Sequence, residues 1–146
     1  MNTNRRRRSR AGVTLIEMLV VVTIIGLFVA LVGPKLWTKV DDAKITQARA
    51  QINNFQTALG AYKLDTGGFP TTEQGLQALR VRPADVPQWN GPYLPRDVPK
   101  DPWGMDYGYK FPGQNTPDEP EIVSLGADHQ PGGEGINADI VSWKNK

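Results

Sequence analysis

Residues 11–36 read AGVTLIEMLVVVTIIGLFVALVGPKL, and five arginines stand just before them, within residues 5–10. Between Val13 and Gly33 the only ionisable side chain is that of Glu17. An apolar run of about 20 residues is long enough, at roughly 1.5 Å per residue, for a helix to cross the hydrocarbon core of a membrane. The arginines are expected to keep the N-terminus in the cytoplasm, so the residues after the run lie on the far side. This stretch therefore predicts one membrane-spanning helix, and a lone carboxylate inside it is a functional hypothesis in its own right.

The small residues that mark a cleavage site stand before the apolar run and not after it. An ordinary secretory signal is cut beyond its apolar region, which is then discarded. Here Ala11 and Gly12 precede the run, so a cut after Gly12 removes only the basic leader and leaves the helix on the mature chain. We therefore expect a removable leader, a membrane-spanning helix, and a globular domain that includes the second half of the helix. Their expected limits are residues 1–12, 13–36 and 37–146.

The overall charge of the chain is misleading, because the leader carries much of the positive charge. The full sequence has 17 Lys and Arg against 15 Asp and Glu, a formal charge of +2. Without the five leader arginines the balance becomes 12 basic against 15 acidic residues, or −3. Membrane topology explains the arginines better than nucleic-acid binding, so no nucleic-acid partner is expected. The chain has no cysteine, so the domain must be stabilised by packing, by a metal or by assembly.

The helix is expected to continue beyond the apolar run. Gly33-Pro34 should kink or loosen it, because proline removes a backbone hydrogen bond and crowds the preceding turn. After that point apolar side chains recur at spacings of three and four, which predicts one stripe of an amphipathic helix. The stripe consists of Ile45, Ala48, Ile52, Phe55, Leu59 and Tyr62. Glycines at positions 67 and 68 end the pattern, so we predict one helix over residues 13–64 with a globular domain packed on the stripe.

The second half of the chain has the pattern of a small sheet joined by long loops. Thr71 and Gln74 have the spacing of a capping box, so a short helix with Leu76 and Leu79 on its apolar side is expected after them. Six prolines between residues 82 and 102 predict an irregular loop. Alternating and short apolar runs predict three strands, at residues 107–111, 122–125 and 139–143. The predicted fold class is α+β: a long N-terminal helix, transmembrane in its first half, packed on a small three-stranded antiparallel sheet with a short helix and long loops.

Two groups of motifs carry a resemblance to known proteins. The leader, the cut after Gly12 and the glutamate five residues later are similar to the class III signal peptides of type IV pilins and pseudopilins. Val13 stands where those proteins usually have phenylalanine. Over nearly its whole length the chain also resembles the major pseudopilins, or G subunits, of bacterial type II secretion systems. The matching segments are GFPTTEQGL (68–76), GPYLP (91–95), DPWG (101–104), SLGAD (124–128), GGEG (132–135) and NADI (137–140).

The resemblance implies a pilin-like fold and a role in a polymer. A prepilin peptidase would cut between Gly12 and Val13 and methylate Val13, and Thr14 and Glu17 would serve assembly. As in the family, the glutamate would meet the N-terminal amine of a neighbouring subunit. This agrees with physical expectation, because an unpaired charge among apolar helices costs several kcal/mol. The alternative is that Glu17 lies at the membrane interface, within reach of Arg10 and water, and has no role.

By the same resemblance, the chain is expected to be a structural subunit of a periplasmic pseudopilus whose growth drives folded exoproteins across the outer membrane. Its expected partners are further copies of itself, minor pseudopilins, prepilin peptidase and the inner-membrane assembly platform, with membrane lipid around the helix before assembly. It would cross the bacterial inner membrane once, with a cytoplasmic N-terminus and a periplasmic C-terminal domain. A type IV pilin used for adhesion, motility or DNA uptake is the alternative. A membrane-anchored periplasmic binding protein or enzyme is a third hypothesis.

The glycine-rich loop after the second predicted strand is the candidate metal site. Its oxygen-bearing side chains belong to Asp128, Glu134, Asn137 and Asp139. Calcium takes six to eight oxygen ligands, but the spacing is not that of an EF-hand, and from the residues alone a hairpin loop that needs no metal is favoured. The resemblance implies a structural calcium ion instead. Carried over, it makes Asp128 and Asp139 side-chain ligands and Asn137 a weaker one. The Leu125 carbonyl becomes a backbone ligand, and Glu134 either binds or faces solvent.

The sequence contains no recognisable catalytic pattern. His129 is the only histidine and has no cysteine to join it, so it is expected to be exposed in the loop and not to bind zinc. No Gly-x-Ser-x-Gly motif, P-loop or Ser/His/Asp triad is evident, so the chain is not expected to be an enzyme. Three residues are expected to pin the proline-rich loop onto the domain: Trp89, Tyr93 and Leu94. Four further aromatic residues are expected to fill the core and not to line a ligand groove: Trp103, Tyr107, Tyr109 and Phe111.

Overall fold

The computed structural model describes residues 12–144, except for the side chains of residues 33–38. Most of the predicted leader therefore lies outside the described residues. Contacts divide the chain into two compact units with the boundary after Lys39, three residues beyond the boundary expected from the sequence. The order of elements is one long α-helix, a short 3₁₀ helix, and three strands with two more 3₁₀ helices around the last of them.

The long helix, α1, spans Leu15–Thr66. It begins where the Thr14 hydroxyl oxygen accepts a hydrogen bond from the backbone N–H of Glu17 at 3.3 Å, which is how an N-cap residue satisfies an unpaired amide. It ends at Gly67, which has φ of 83° and donates its N–H to the Lys63 carbonyl at 2.8 Å. Both limits lie two residues later than the sequence predicts, because the caps and not the apolar pattern decide where the helix begins and ends.

The first unit contains the apolar part of α1. The window Leu15–Val32 has a mean hydropathy of 2.9, and none of it is buried against the rest of the chain. Its length and composition are sufficient to cross a membrane. The backbone is helical through Gly33 and Pro34 without a break. A continuous helical assignment does not give the angle between the two halves of the helix axis, so the kink expected at these two residues stays a prediction.

The second unit contains a three-stranded antiparallel sheet in the order β1-β2-β3, as predicted. The strands are β1 (Gly108–Lys110), β2 (Glu121–Ser124) and β3 (Ile140–Val141). Tyr109 lies opposite Ile122 in the first pair, and Ser124 lies opposite Ile140 in the second. All three strands are shorter than or shifted from their predicted limits.

Two elements differ from the prediction: the last strand is shorter, and the short helix is of the 3₁₀ type. The last strand was expected over residues 139–143 but has two residues, because the Ser142 hydroxyl oxygen accepts the N–H of Ile122 at 3.0 Å and the chain turns into a 3₁₀ helix. The short helix is a 3₁₀ helix, Leu76–Leu79. The reciprocal capping-box bonds between Thr71 and Gln74 do form, at 3.0 and 3.3 Å. They close the turn that precedes the helix, and Gly75, with φ of 58°, separates the two.

The core of the second unit lies where the apolar stripe of α1 meets the sheet and the short 3₁₀ helix. Five of the six stripe residues are buried and Ile45 is partly buried, so the predicted stripe is confirmed. Phe55 is at its centre, with its ring edge-on to that of Tyr107 at a centroid distance of 5.2 Å. The same side chains that give α1 its three-four periodicity therefore hold the domain together.

The proline-rich loop is pinned to the domain by the residues predicted to do so. The Trp89 indole N–H donates to the Ala78 carbonyl at 2.7 Å, and the Tyr93 hydroxyl donates to the Asp65 carboxylate at 2.8 Å. Leu94 is buried in the core. These contacts fix an irregular segment that has no regular secondary structure of its own.

Candidate functional site

The first candidate site is the segment that joins the leader to α1. Gly12, Val13 and Thr14 are exposed and precede the first helical residue. A Cβ built on Gly12 would meet no atom within 4 Å, so nothing in the described fold requires glycine there. The peptide bond between Gly12 and Val13 therefore lies in an open, irregular backbone, which is the kind of segment that proteases reach.

Thr14 and Glu17 are brought together at the start of α1. Thr14 supplies the N-cap oxygen, and Glu17 is the acidic residue of the first turn. A carboxylate at this end of a helix is favoured by the helix dipole. Within residues 12–144 no hydrogen bond or ion pair to the Glu17 side chain is seen, and the side chain is exposed. The carboxylate is thus open to a charged group from outside the described residues.

The second candidate site is the loop between β2 and β3, residues 125–139. Its neck is the pair of Ser124 and Ile140, which face each other across the sheet. Two backbone hydrogen bonds hold the arms together: Ala127 N–H to the Ile136 carbonyl, and Asp139 N–H to the Gly132 carbonyl, each at 3.1 Å. The loop is therefore an ordered, internally bonded turn.

Two glycines let this loop close around the backbone of Asn137. A Cβ on Gly126 would lie 2.8 Å from the Asn137 carbonyl carbon, and one on Gly133 would lie 2.4 Å from the Asn137 carbonyl oxygen. Both glycines have positive φ, at 68° and 79°. Real Cβ atoms do not approach so closely, so only glycine fits at these two positions.

The two aspartates expected to bind calcium are both partly buried in this loop. Asp128 Oδ1 accepts the N–H of Gln130 at 3.1 Å, and Asp139 Oδ2 accepts the N–H of Gly132 at 2.9 Å. Asp139 Oδ1 is buried and has no hydrogen-bond partner within the described residues. A buried carboxylate oxygen without a donor is unfavourable unless a cation or water completes it. That unpaired oxygen fits a calcium ligand.

The remaining predicted loop residues differ in their exposure. Leu125 and Asn137 are partly buried, and each lies within three residues of one of the two aspartates. Glu134 is exposed and faces solvent. His129 is also exposed, as predicted. Its φ is 59°. The residues that the structure describes contain no group of three or more His, Cys, Asp or Glu side chains able to share a metal. Any ion here would thus depend on carbonyl and amide oxygens in addition to the two carboxylates.

One more acidic residue, Asp101, lies beside this loop and was not predicted from the sequence. Asp101 is buried, and its Oδ2 accepts the Ser124 hydroxyl at 2.6 Å. In the sequence Asp101 is the first residue of the DPWG motif in a proline-rich loop, where a charged residue is expected to be exposed. The available signal was its position before Pro102 and three residues before Gly104, which is typical of an aspartate that accepts backbone N–H groups of a turn.

Among the aromatic residues of the second half, Tyr107 is buried in the core, and Trp89, Tyr93, Trp103 and Tyr109 are partly buried against it. Burial raises the pKa of Tyr107 to about 12, with a smaller contribution from the nearby Asp101 carboxylate. Burial also raises the pKa of Tyr109 well above its usual value, and its hydroxyl donates to the Pro70 carbonyl at 2.8 Å. Phe111 stacks edge-on against Phe69 at 5.2 Å. Both tyrosine hydroxyls thus stay protonated at neutral pH.

Two family models match the chain. The model described as "Type II secretion system (T2SS), protein G" matches residues 35–143, and the one described as "Prokaryotic N-terminal methylation motif" matches residues 7–33. The two matches together span the leader, the apolar helix and the globular domain. Together the two family models cover almost the whole chain, including both candidate sites.

Curated relatives and a solved structure agree with these matches. The type II secretion system core protein G of Pseudomonas aeruginosa is 43% identical over 143 residues, covering 96% of this chain and 99% of the relative. That of Vibrio cholerae is 42% identical over 142 residues, covering 95% of each. The crystal structure of the major pseudopilin from the type 2 secretion system of enterohaemorrhagic Escherichia coli covers 76% of this chain and 96% of that one, with a TM-score of 0.62 and 35% identity.

Proposed function

The chain belongs to the protein G family of type II secretion systems, and from that premise we propose that it is the major structural subunit of a pseudopilus. It polymerises through its N-terminal helix, and growth of the filament drives folded exoproteins across the outer membrane. The observation that carries this assignment is the match over residues 35–143, joined to an N-terminal methylation motif over residues 7–33. A type IV pilin is not favoured, because the match is to protein G, and we assign no catalytic activity to the subunit.

The gene's deletion tests this function directly. Export of folded exoproteins is expected to stop, while surface pili and the motility that depends on them continue. Restoring the gene on a plasmid should restore export. Loss of pili with export intact would instead identify the chain as a pilin.

The exposed apolar window in α1 supports a single-pass anchor in the inner membrane, with the globular domain in the periplasm. Removal of the leader by prepilin peptidase after Gly12 would create a new amine on Val13, which the methylation motif implies is then methylated. The subunit would wait in membrane lipid and then join other copies and minor pseudopilins at the assembly platform. Mass spectrometry of the purified subunit tests the cut: a chain that begins at Val13 and carries one additional methyl group is expected, and one that begins at Met1 would contradict it.

Glu17 is proposed to pair with the N-terminal amine of a neighbouring subunit. Its exposed carboxylate follows the new N-terminal residue of its own chain, Val13, by four residues, at the favourable end of a helix dipole. Transferring it into a bundle of apolar helices without a partner would cost several kcal/mol, and an opposite charge offsets that cost. Pairing would also select one axial offset between subunits, because other offsets leave both charges unpaired.

Glu17→Ala tests the pairing, and Thr23→Ala is a matched control in the same apolar stretch. The Thr23 hydroxyl already donates to the Leu19 carbonyl at 2.7 Å, so it has no need of a neighbour. Both variants should insert into the membrane, as measured by fractionation and alkaline extraction. Only Glu17→Ala is expected to lose filaments under overproduction, as seen by electron microscopy. Normal filaments from Glu17→Ala would refute the pairing.

We also propose that the loop of residues 125–139 holds a structural calcium ion. Asp128 and Asp139 would bind through their carboxylates, Asn137 as a weaker ligand, and Leu125 through its carbonyl. When bound, the ion supplies positive charge that satisfies the partnerless oxygen of Asp139 and links the two arms of the loop. In a domain without cysteine, such an ion would take the place of a disulfide staple.

Chelation and one pair of variants test the calcium site. Binding to the folded state alone stabilises a protein by about 2.7 kcal/mol when the free ligand is at 100 times its dissociation constant, so millimolar calcium should raise the melting temperature and a chelator should reverse the rise. Asp139→Asn is expected to abolish the calcium-dependent part, whereas Glu134→Gln, at an exposed position of the same loop, should preserve it. An identical melting temperature with and without calcium would rule out a structural ion.

A further inference from the structure

A buried carboxylate from a different part of the chain contacts the neck of the calcium loop. Asp101 is 5% exposed. Its Oδ1 accepts the backbone N–H groups of Trp103 at 3.0 Å and Met105 at 2.8 Å, which closes the turn that follows it. Its Oδ2 accepts the Ser124 hydroxyl at 2.6 Å. Donors on both oxygens offset the cost of burying the charge, and the last bond joins this turn to the end of β2.

Ser124 is the last residue of β2, directly before the loop of residues 125–139. The next residue, Leu125, carries the carbonyl proposed as a backbone ligand. Across the sheet Ser124 pairs with Ile140, which directly follows the proposed ligand Asp139. The relative positions of these two ligands therefore depend on where the pair of Ser124 and Ile140 is held.

We propose that Asp101 is a positioning residue for the calcium loop: through Ser124 it fixes the neck, so that the oxygen ligands are in place before the ion binds. The inference rests on the calcium site proposed above and does not make Asp101 a ligand. Residues that orient metal ligands from outside the coordination shell typically change affinity by roughly 10–100-fold when they are replaced. Asp101 lies 23 residues before Ser124 in the chain, so this support comes from a separate loop.

Two other buried side chains provide controls, one in β2 and one directly after β3, because their hydrogen-bond partners differ from that of Ser124. Ser142, 4% exposed, accepts the N–H of Ile122 at 3.0 Å. Glu121, 7% exposed, lies at the opposite end of β2 and accepts the N–H groups of Asn115 and Thr116, the latter at 3.1 Å. Ser142→Ala removes the acceptor of a backbone N–H, and Glu121→Gln removes the charge from one, so both should weaken the domain. Neither contacts Asp101.

The test compares calcium affinity with stability in the full chain. Ser124→Ala, Ser142→Ala and Glu121→Gln are purified in detergent micelles, freed of calcium with a chelator, and titrated with calcium chloride by calorimetry. Thermal unfolding without calcium is measured in parallel. We expect Ser124→Ala to weaken calcium binding roughly tenfold. Asp101→Asn should weaken it in the same direction, because the charge that accepts the serine hydroxyl is lost. Ser142→Ala and Glu121→Gln should stay within about twofold of the unchanged chain, even where they lower the melting temperature.

Each outcome of this comparison decides the proposal. A calcium affinity of Ser124→Ala or of Asp101→Asn within about twofold of the unchanged chain would overturn it. Equal weakening in all four variants would also overturn it, because calcium affinity would then follow general stability. If the unchanged chain releases no binding heat with calcium, the calcium site itself is wrong and the positioning role falls with it. That last result is distinct, since it appears before any variant is compared.

Discussion

The packing of α1 on the domain predicts a large penalty for removing one side chain, Phe55. This side chain is fully buried and its ring meets that of Tyr107 edge-on at 5.2 Å and 78°. Replacing a buried phenylalanine with alanine typically costs about 3–5 kcal/mol, of which roughly 0.5–1.5 kcal/mol comes from the loss of an aromatic pair. Against a total stability of about 5–15 kcal/mol for a domain, Phe55→Ala removes about a fifth of it or more.

Leu64 on the same helix provides the matched control. It is apolar too but 88% exposed, so Leu64→Ala should change the free energy of unfolding by less than about 0.5 kcal/mol. A loss of 3–5 kcal/mol corresponds to a fall in melting temperature on the order of 15 °C or more for a domain of this size. Thermal unfolding of the full chain in detergent micelles, followed by near-ultraviolet circular dichroism, measures tertiary packing without interference from the apolar helix. Similar shifts for the two variants would refute the assignment of the core to this stripe.

Three further perturbations are predicted from the structure. Gly133→Ala should lower the melting temperature by more than Gly132→Ala, because both have positive φ but only the first would place a Cβ 2.4 Å from a carbonyl oxygen; equal losses would contradict the close approach. Burial raises the pKa of Tyr107 from 10.0 to about 12. Between pH 10 and about pH 12 the unfolded chain therefore loses the hydroxyl proton that the folded chain keeps, so the free energy of unfolding falls as pH rises. Tyr107→Phe should flatten that fall by up to ~1.4 kcal/mol per pH unit, measured by urea unfolding from pH 9 to 12; an unchanged slope would count against the burial of this hydroxyl. Gly12→Leu should leave the leader attached, as mass spectrometry would show, whereas Gly26→Leu should be cut normally. If the leader is still removed from Gly12→Leu, the proposed cleavage after Gly12 is wrong and the peptidase cuts another peptide bond.

The elements that repeat a local pattern were predictable from the sequence. The apolar window and the stripe of α1 each extend over several turns, so their periodicity survives uncertainty at single positions. The antiparallel three-stranded sheet was likewise predicted, because alternation and turn residues bound each strand. The match between GFPTTEQGL and a capping box was also correct, since both bonds of the box lie within four residues.

The rest depended on contacts between distant residues. The last strand is short because Ser142 takes a backbone N–H that lies 20 residues earlier, and no local pattern contains that fact. Asp101 was missed for the same reason, since its partner Ser124 is 23 residues away and an aspartate among prolines is ordinarily exposed. In the loop of residues 125–139 the sequence identified the oxygen-bearing side chains, but only the structure distinguishes the exposed Glu134 from Asp139, whose buried oxygen has no hydrogen-bond partner among the described residues.

The loops of this domain are fastened by carboxylates that accept backbone N–H groups, at Asp101 and at Glu121, in a chain that has no cysteine at all. Maturation of the subunit therefore consumes no oxidant and needs no thiol exchange enzyme. Reducing conditions also leave the covalent structure of the domain unchanged, since it has no disulfide to break.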